Sequence, residues 1–370
     1  MSISSEIIRI YDNIQHAYDA VREKGGTVPG EAILVSIAVT STPTKTSYNE
    51  NETLNLTGLV VTATYDDSST KTVTSSCTFT PAAGTVLKSS NKSVAISYTE
   101  GGVTKEASFA ITVKAAVPTD KTFANATDAE FLQIAQALQA GTISVSDLSG
   151  WDVGATRSVS LGSFTSYPSG SAATQAAQTA QLVILHKKSN GVCAGKQFAD
   201  GTIPSFIIGF KDNVAKSYYH GSSNKYESSL LFTVENNIYN ALPTDIKSAF
   251  GKQFKAITGV YSGKTTRTDN RNMCSPAARE LFGGSDSASE GSATSYAIKA
   301  EHTALGSNAQ FDYYKTDGNN RRKHTNLSNY WWERSPDYDY GGYACYVYSG
   351  GTANDGSVYN TFGLAPFGCI

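Results

Sequence analysis

A 26-residue segment near the C-terminus, bracketed by two short motifs, constrains the fold of this chain most strongly. The motifs are YWWERSP at residues 330–336 and GLAPFGCI at 363–370, with residues 337–362 between them. Six of those 26 residues are Tyr, and the segment contains no Lys, Arg, Glu, Gln, Met or Trp. Tyr offers a large contact face and a hydroxyl at low entropic cost, which suits a ligand-binding surface. A β-hairpin with Tyr on its outer face is the alternative, and composition by itself favours that hairpin.

If the segment is a binding surface, its aromatic, acidic and amide side chains are the candidate ligand contacts. These candidates are Asp337, Tyr338, Asp339, Tyr340, Tyr343, Tyr346, Tyr348, Asn354, Asp355, Tyr359 and Asn360. The stretch Ala353–Gly356 is interpreted as a turn, because Asn, Asp and Gly are typical turn residues.

The two motifs, together with ACYVYSGG at residues 344–351, resemble the C-terminus of C-type-lectin-like domains from phages and prophages of Gram-positive bacteria. The family pattern is WWLRSP, then CYV with Gly, then G-[VL]-[RA]-P and a closing C-[IL]. This chain has Glu333 where Leu is usual, and Ala365 where Arg is frequent. The resemblance covers about residues 120–370 and implies that Trp331 and Trp332 are buried scaffold. It also implies that Arg334 holds backbone carbonyls or a nearby carboxylate.

Some members of that family are variable proteins of diversity-generating retroelements, similar in kind to the phage major tropism determinant. In those proteins, adenines of Asn codons are mutated, and the changed residues form a ligand-binding surface. A randomised AAY codon cannot encode Lys, Glu, Gln, Met or Trp, and these five residue types are absent from 337–362. The resemblance therefore implies a diversified, Tyr-rich surface that binds host-cell ligands.

Charge and motif content do not favour nucleic-acid binding or catalysis. The net charge is −2, and the longest basic run, Arg321-Arg322-Lys323, is interpreted as a solvated loop. GxSxG, GxGxxG, Walker A and HExxH motifs are absent. The carboxylate pairs Asp312 with Asp317 and Asp337 with Asp339 are interpreted as solvated. We expect no enzyme activity, catalytic residue or cofactor.

Cysteine and histidine spacing predicts neither a metal site nor a disulfide framework. The five Cys are far apart and odd in number, and the five His are scattered along the chain. Cys345 and Cys369 are expected to be small buried apolar residues. No apolar run approaches 18 residues, so no membrane insertion is expected.

The N-terminal third is predicted to hold a helix followed by a β-sandwich. Residues 4–24 form the predicted helix, in which Ile7, Tyr11, Ile14, Tyr18 and Val21 repeat at spacings of 4, 3, 4 and 3. This stripe indicates either packing on the same chain or a short oligomerising stalk. A linker at 25–31 follows. Residues 33–114 alternate as short strands, and GLVVTATYDDSS resembles bacterial Ig-like repeats, which are usually spacers.

The remaining residues are predicted to form mixed helices and short strands. A helix is expected at 127–139, with Phe131, Leu132, Ile134, Ala135 and Leu138 on its apolar face. Strands are expected at 157–161, 181–186 and 206–210. Residues 236–250, NNIYNALPTDIKSAF, resemble the second helix of the phage lectin family.

The fold class expected is α+β, with three parts. Residues 1–30 form an attachment helix, 31–116 an Ig-like β-sandwich, and 117–370 a C-type-lectin-like ligand-binding domain. The function expected is that of a tail-associated phage receptor-binding protein, a homotrimer whose partners are a host cell-surface protein or glycan and other tail proteins. The alternative is a bacterial surface adhesin or carbohydrate-binding protein of the same architecture.

The first six residues have no basic n-region or apolar h-region, so no secretory signal is expected. Assembly in the bacterial cytoplasm and release in the virion is the expected route. The bacterial cell surface is the alternative location.

Overall fold

The computed structural model describes residues 3–24, 32–220, 224–284 and 296–370. It has a mixed α+β architecture, and the chain divides into two units, Met1–Ala116 and Val117–Ile370. The linker predicted at 25–31 lies outside the described residues. None of the helices in the described ranges is long and apolar enough to cross a membrane.

The first unit begins with one long helix, α1, which spans Ile3–Glu23. The N-terminal helix was predicted from its apolar spacing, and the structure confirms it with boundaries shifted by one residue. Most of the large apolar side chains described on α1 are exposed, including Ile7, Tyr11 and Ile14 from the predicted stripe, whereas Tyr18 is half-buried. The described part of the chain therefore leaves most of that stripe uncovered.

The rest of the first unit consists of short strands around one apolar core. The strands are β1 Leu34–Ser41, β2 Ser47–Asn49, β3 Val60–Tyr65, β4 Thr70–Thr72, β5 Thr78–Thr80, β6 Ser93–Glu100, β7 Val103–Ala110 and β8 Thr112–Lys114. Val61, Val94 and Ile96 are among the fully buried residues of the shared core. Sheet order is β1-β3-β4 in one sheet and β5-β6-β7 in another, and β2 pairs in parallel with β8.

The second unit contains two five-stranded sheets, two two-stranded sheets and several helices. Its helices are α2 Asp128–Gln139, α3 Leu230–Ala241, α4 Thr244–Ala249, α5 Ala278–Phe282, α6 Lys299–Leu305, α7 Asp312–Lys315 and α8 Gly318–Arg321. Its strands are β9 Thr156–Leu161, β10 Phe164–Ser166, β11 Ala173–Gln175, β12 Gln178–Lys187, β13 Phe206–Phe210, β14 Ala215–Ser217, β15 Phe254–Val260, β16 Thr265–Arg271, β17 Met273–Cys274, β18 Trp331–Pro336, β19 Tyr343–Val347, β20 Ala353–Ser357, β21 Phe362–Leu364 and β22 Phe367–Cys369.

Helix α2 follows directly from its sequence. Thr127 caps the helix by accepting the N–H of Glu130, and the Glu130 carboxylate accepts the N–H of Thr127. This capping box satisfies two backbone donors that a helix N-terminus otherwise leaves unpaired. Phe131 and Ile134 on the predicted apolar face are fully buried in the core of the unit.

The stretch 236–250 forms parts of two helices, α3 and α4, and not one helix. Pro243 causes the break, because proline has no N–H to donate and disfavours helical backbone in the residue before it. Leu242 accordingly has extended backbone angles, φ −65° and ψ 149°. Pro243 then serves as the N-cap residue of α4.

The C-terminal motif joins the two large sheets of the second unit. Sheet order is β17-β22-β13-β12-β9 in one and β14-β21-β18-β19-β20 in the other. Strand β21 belongs to the second sheet and β22 to the first, and only Ala365 and Pro366 separate them. A side chain at Gly363 would collide with the buried Asn213, so close packing requires glycine at this position.

Candidate ligand-binding surface

Strand β18 is a buried strand that pairs with β19 of the predicted binding segment. It lies between β21 and β19, and all six of its residues are buried. The Trp332 ring packs 4.6 Å from Phe362 and 5.5 Å from Tyr219, and its indole N–H donates to the Ser217 carbonyl at 2.9 Å. Trp331 is also fully buried, and its indole N–H donates to the Arg322 carbonyl at 2.9 Å. The expected burial of both Trp side chains is confirmed.

Arg334 fixes β18 through a buried ion pair. Its guanidinium binds both carboxylate oxygens of Glu280, at 2.6 and 2.8 Å, and donates to the Ser275 and Ile257 carbonyls at 2.8 and 3.0 Å. Lys196 also contacts Glu280. Burial opposes ionisation of Glu280, but Arg334 and Lys196 outweigh that cost and lower its pKa to about 2. The role expected for Arg334 is confirmed, and its partner lies 54 residues away in sequence.

Two further carboxyl groups are buried at β18: Glu333 belongs to the strand, and Glu301 contacts its Ser335. Ser335 Oγ donates to Glu301 and accepts the Ala278 N–H at 3.0 Å, and the Gly259 N–H donates to Glu301 at 2.5 Å. Both oxygens of Glu333 lack a hydrogen-bond partner among the described residues. Burial raises the pKa of Glu301, and it raises the pKa of Glu333 well above the ordinary value. The fold therefore favours the neutral, protonated form of Glu333 over the charged form.

The first part of the segment is a tight turn that the side chain of Asp337 stabilises by hydrogen bonds. Asp337 is buried, and its carboxylate accepts the N–H groups of Asp339 and Tyr340 at 2.8 and 2.6 Å. The Tyr343 N–H closes the turn on the Tyr340 carbonyl at 3.0 Å. The interpretation of Asp337 as a solvated acid is wrong, because its carboxylate is buried and accepts two backbone N–H groups of the turn. Among the predicted contacts, Asp337 supports the surface and does not face solvent.

Two residues outside the predicted segment hold the same turn in place. Asn224 donates its backbone N–H to the Gly341 carbonyl at 3.0 Å and its side-chain amide to the Tyr340 carbonyl at 3.2 Å. The Tyr261 hydroxyl donates to the Asp339 carbonyl at 2.9 Å. Sequence reasoning missed both residues, because each lies about eighty residues or more before the turn and belongs to no recognisable motif.

The second part of the segment is the hairpin of β19 and β20. Tyr343 pairs with Ser357 at one end of the hairpin, and Val347 pairs with Ala353 at the other. The interpretation of residues 353–356 as a turn is therefore wrong. Pairing with β19 outweighs the weak strand preference of Asn, Asp and Gly, which depends on context. The turn lies at residues 348–351, where the Gly351 N–H donates to the Tyr348 carbonyl at 2.7 Å.

Four tyrosines of the segment project into solvent from this support. The exposed fractions are 58% for Tyr340, 40% for Tyr343, 42% for Tyr348 and 52% for Tyr359. Besides these four, the large apolar side chains exposed in the described part of the second unit are Val192 and Leu327. The exposed aromatic area of this unit is thus concentrated on the predicted segment. Such concentration marks an interaction site more often than scattered apolar residues do.

The exposed tyrosines form three groups along the hairpin and do not form one cluster. The rings of Tyr340 and Tyr343 are 5.4 Å apart at one end. Tyr348 lies at the other end against Tyr330, with ring centres 5.3 Å apart. Tyr359, after β20, packs edge-on against Tyr218 at 6.3 Å. Tyr330 and Tyr218 lie outside the predicted segment and extend the surface.

The other predicted ligand contacts differ in how far their side chains are exposed to solvent. Tyr346 is buried, and its ring packs 4.5 Å from Phe362. Asn354 is half-buried and donates its side-chain amide to the Tyr346 hydroxyl at 3.1 Å. Tyr346 therefore belongs to the scaffold. Of the remaining predicted contacts, Asp339 is exposed, while Tyr338, Asp355 and Asn360 are half-buried.

The cysteines of this unit are buried thiols. Cys345 and Cys369 are buried, as expected, and both are free. Burial raises the pKa of each thiol well above the ordinary value.

Comparison with known families finds one match, which covers part of this unit. A family described as a domain of unknown function, DUF6273, matches residues 210–370. The matched range contains β18 and the buried Arg334–Glu280 pair. It also contains all of the predicted binding segment, residues 337–362, which is called the Tyr-bearing segment from here on. A search of curated proteins finds no match to the chain.

Proposed function

We propose that this chain is a tail-associated phage receptor-binding protein that uses its Tyr-bearing segment to bind host-cell ligands. In this proposal, α1 attaches or trimerises the protein, and residues 31–116 form an Ig-like spacer. Residues 117–370 form a C-type-lectin-like domain that displays the variable surface. The resemblance of YWWERSP and GLAPFGCI to the phage lectin family supports this assignment of domains.

One observation carries the proposal. Four exposed tyrosines stand on the β19–β20 hairpin and its flanking turns, and the neighbouring strand, β18, is buried along its whole length. A rigid scaffold beneath adaptable aromatic and polar side chains is the arrangement by which binding loops reach affinity at low entropic cost. The segment without Lys, Arg, Glu, Gln, Met or Trp coincides with the hairpin and its flanking turns.

Adsorption of purified protein to a panel of Gram-positive cells tests the proposal. Replacing Tyr340, Tyr343, Tyr348 and Tyr359 together by Ala is expected to reduce adsorption at least tenfold, because interface energy concentrates in such aromatic anchors. The melting temperature should stay close to wild type, since all four side chains are exposed. Exposed Val86 and Val192, changed to Ala, form the control variant and should leave adsorption intact. Full adsorption by the tyrosine variant would place the binding site elsewhere.

A bacterial surface adhesin of the same architecture is the second candidate. A Tyr-rich binding surface would serve that function equally well. Immunogold labelling with antibodies against residues 117–370 distinguishes the two. Label on the tails of released phage particles would support the receptor-binding protein, whereas label confined to the surface of the producing cells would support the adhesin.

A further inference from the structure

A groove in the 117–370 unit lies apart from the Tyr-bearing segment. Its volume is about 710 Å³. Strands β9 and β12 line it at Ser158 and Thr179–Gln181, and the loop 211–214 and the segment 320–326 also contribute. No residue of 337–362 lines this groove.

Three cations, Lys211, Arg321 and Lys323, line the groove and have no carboxylate partner among the described residues. Within the described part of the chain, each makes its polar side-chain contact with a neutral oxygen. Lys211 donates to the Gln181 amide at 3.4 Å, Lys323 to the Asn320 amide at 2.9 Å, and Arg321 to the Tyr313 carbonyl at 2.9 Å. Their charges are therefore available to an anionic ligand.

The acid in the groove, Asp212, is occupied by backbone groups. Its carboxylate accepts the N–H of Asn213 at 2.8 Å and the N–H groups of Thr325 and Asn326 at 3.2 Å each. These bonds tie the 211–214 loop to the 325–326 segment. Because backbone donors satisfy this carboxylate, it does not pair with the neighbouring cations, and the groove keeps an excess of positive charge.

Arg322 holds the backbone that carries two of the cations. Unlike its two neighbours, it is buried, and it donates to the Gly351 carbonyl at 2.8 Å and the Leu281 carbonyl at 3.0 Å. The interpretation of residues 321–323 as a solvated loop is therefore wrong for Arg322. The fixed backbone presents Arg321 and Lys323 to the groove with little loss of freedom on binding.

The neutral lining of the groove is rich in groups that bind hydroxyls. Gln181, Asn320 and Asn326 contribute carboxamides, and Ser158 and Thr179 contribute hydroxyls. The Tyr313 ring is half-buried, with the Arg321 guanidinium 4.7 Å from its centre. No exposed aromatic platform is available in this lining for stacking bases, as single-stranded nucleic acids require.

We propose that this groove binds an acidic glycan, a polyhydroxylated chain whose carboxylate or phosphate groups pair with Lys211, Arg321 and Lys323. The carboxamides and hydroxyls of the lining bind the hydroxyl groups of that chain. The inference does not rest on the proposed function, because it concerns a different set of residues.

Isothermal titration calorimetry on the full chain tests the proposal with three probes. These are an oligogalacturonate, a glycerol phosphate oligomer and neutral maltohexaose. At least one acidic probe is expected to bind, maltohexaose is expected to bind at least tenfold more weakly, and added salt should weaken binding. The acidic probe that binds more tightly identifies carboxylate or phosphodiester as the preferred anion. Failure of both acidic probes, or equal binding of maltohexaose, would overturn the proposal.

Variants with matched charge changes locate the site. The triple change Lys211→Gln, Arg321→Gln and Lys323→Gln shifts the net charge from −2 to −5, because it removes three positive charges. Lys92→Gln, Lys105→Gln and Lys114→Gln, in the first unit, produce the same shift as a control. The groove variant should bind the acidic probe at least tenfold more weakly, and the control variant should bind it like wild type. Equal loss in both variants would overturn the proposal, because it would indicate a net-charge effect.

Two further measurements separate this site from its alternatives. The variant that lacks the four exposed tyrosines should retain acidic-glycan binding. If it loses that binding while the groove variant keeps it, the glycan binds the Tyr-bearing segment and the proposal is wrong. Single-stranded DNA that competes as well as the acidic glycan would also contradict the proposal, because it would indicate a nucleic-acid groove.

Discussion

Glu333 illustrates what a single residue contributes to this fold. Its carboxyl group is fully buried on β18, and both oxygens lack partners among the described residues. The charged groups that act on it most strongly are Glu301, Arg322, Arg334 and Glu280. Arg334 is already engaged by Glu280 in a two-bond ion pair. Glu333 therefore costs stability, whereas Glu280 is compensated by its partners.

The cost of Glu333 should depend on pH. Burial, followed by the neighbouring Glu301, raises its pKa in the folded chain well above the ordinary value of 4.5. Because the folded pKa exceeds the unfolded one, its contribution is complete below about pH 4.5 and is lost as the pH rises through the folded pKa. Relative to Glu333→Gln, the wild-type free energy of unfolding should therefore fall as the pH rises above about 4.5 towards the folded pKa.

Urea denaturation across that pH range measures this effect. Glu333→Leu, which also removes the unpaired polar group, should be more stable than wild type by about 1–3 kcal/mol at neutral pH. The exposed Glu106, changed to Gln, is the matched control and should follow the wild-type profile. Parallel pH profiles for wild type and Glu333→Gln would show that Glu333 does not retain its proton in the fold.

At the scale of elements, β18 is the strand on which the surface depends. Trp332→Ala removes a fully buried ring that packs against Phe362, Tyr219 and Tyr346. The expected loss in the free energy of unfolding is about 3–5 kcal/mol, measured by chemical denaturation. Tyr348→Ala, an exposed aromatic from the same sheet region, should change stability little. A Trp332→Ala protein that melts like wild type but no longer adsorbs to cells would assign this Trp to the binding surface.

Elements whose pattern is local were predictable from the sequence. Helix α2 carries its own capping box and apolar face, and α1 carries a regular apolar stripe. Two predictions, the single helix at 236–250 and the turn at 353–356, were wrong because one sequence or structural preference outweighed another. Pro243 divides the expected helix, and pairing with β19 makes a strand of Asn354 and Asp355, whose local preference is for a turn.

The supports of the candidate surface could not be predicted in the same way. Arg334 pairs with Glu280, and Asn224 holds a turn more than a hundred residues further along the chain. These contacts depend on tertiary packing, and they produce no regular spacing of residues that could be recognised in the sequence. The Tyr-rich composition did identify the hairpin segment. It could not separate the exposed Tyr340 from the buried Tyr346, because that difference depends on strand orientation and neighbouring side chains.

At the scale of the whole molecule, the exposed stripe on α1 leads to a prediction about oligomeric state. Ile7, Tyr11, Ile14 and Val21 are all exposed in the single chain. Burial against sister helices would remove this apolar area from water, and several binding sites on one particle would gain avidity. We expect a homotrimer to which the second unit also contributes contacts, since two heptads are too short to hold an oligomer alone.

Size-exclusion chromatography with light scattering checks this prediction. Replacing Ile7 and Ile14 by Ser should weaken the trimer, whereas Arg9→Ser should leave it intact. A chain that begins at residue 31 should be mostly monomeric at micromolar concentration. A monomeric full-length protein would contradict the stalk, and an unchanged trimer after truncation would move the interface to other parts of the chain.

The most direct test of the account is hydroxyl-radical footprinting of the protein, free and adsorbed to Gram-positive cells, read by mass spectrometry. The account predicts that labelling of Tyr340, Tyr343, Tyr348 and Tyr359 falls several-fold on adsorption. Labelling at the exposed Val86 and Val192 should not change. Unchanged labelling of the four tyrosines, with protection appearing elsewhere on the adsorbed protein, would contradict the central claim that this segment binds the host.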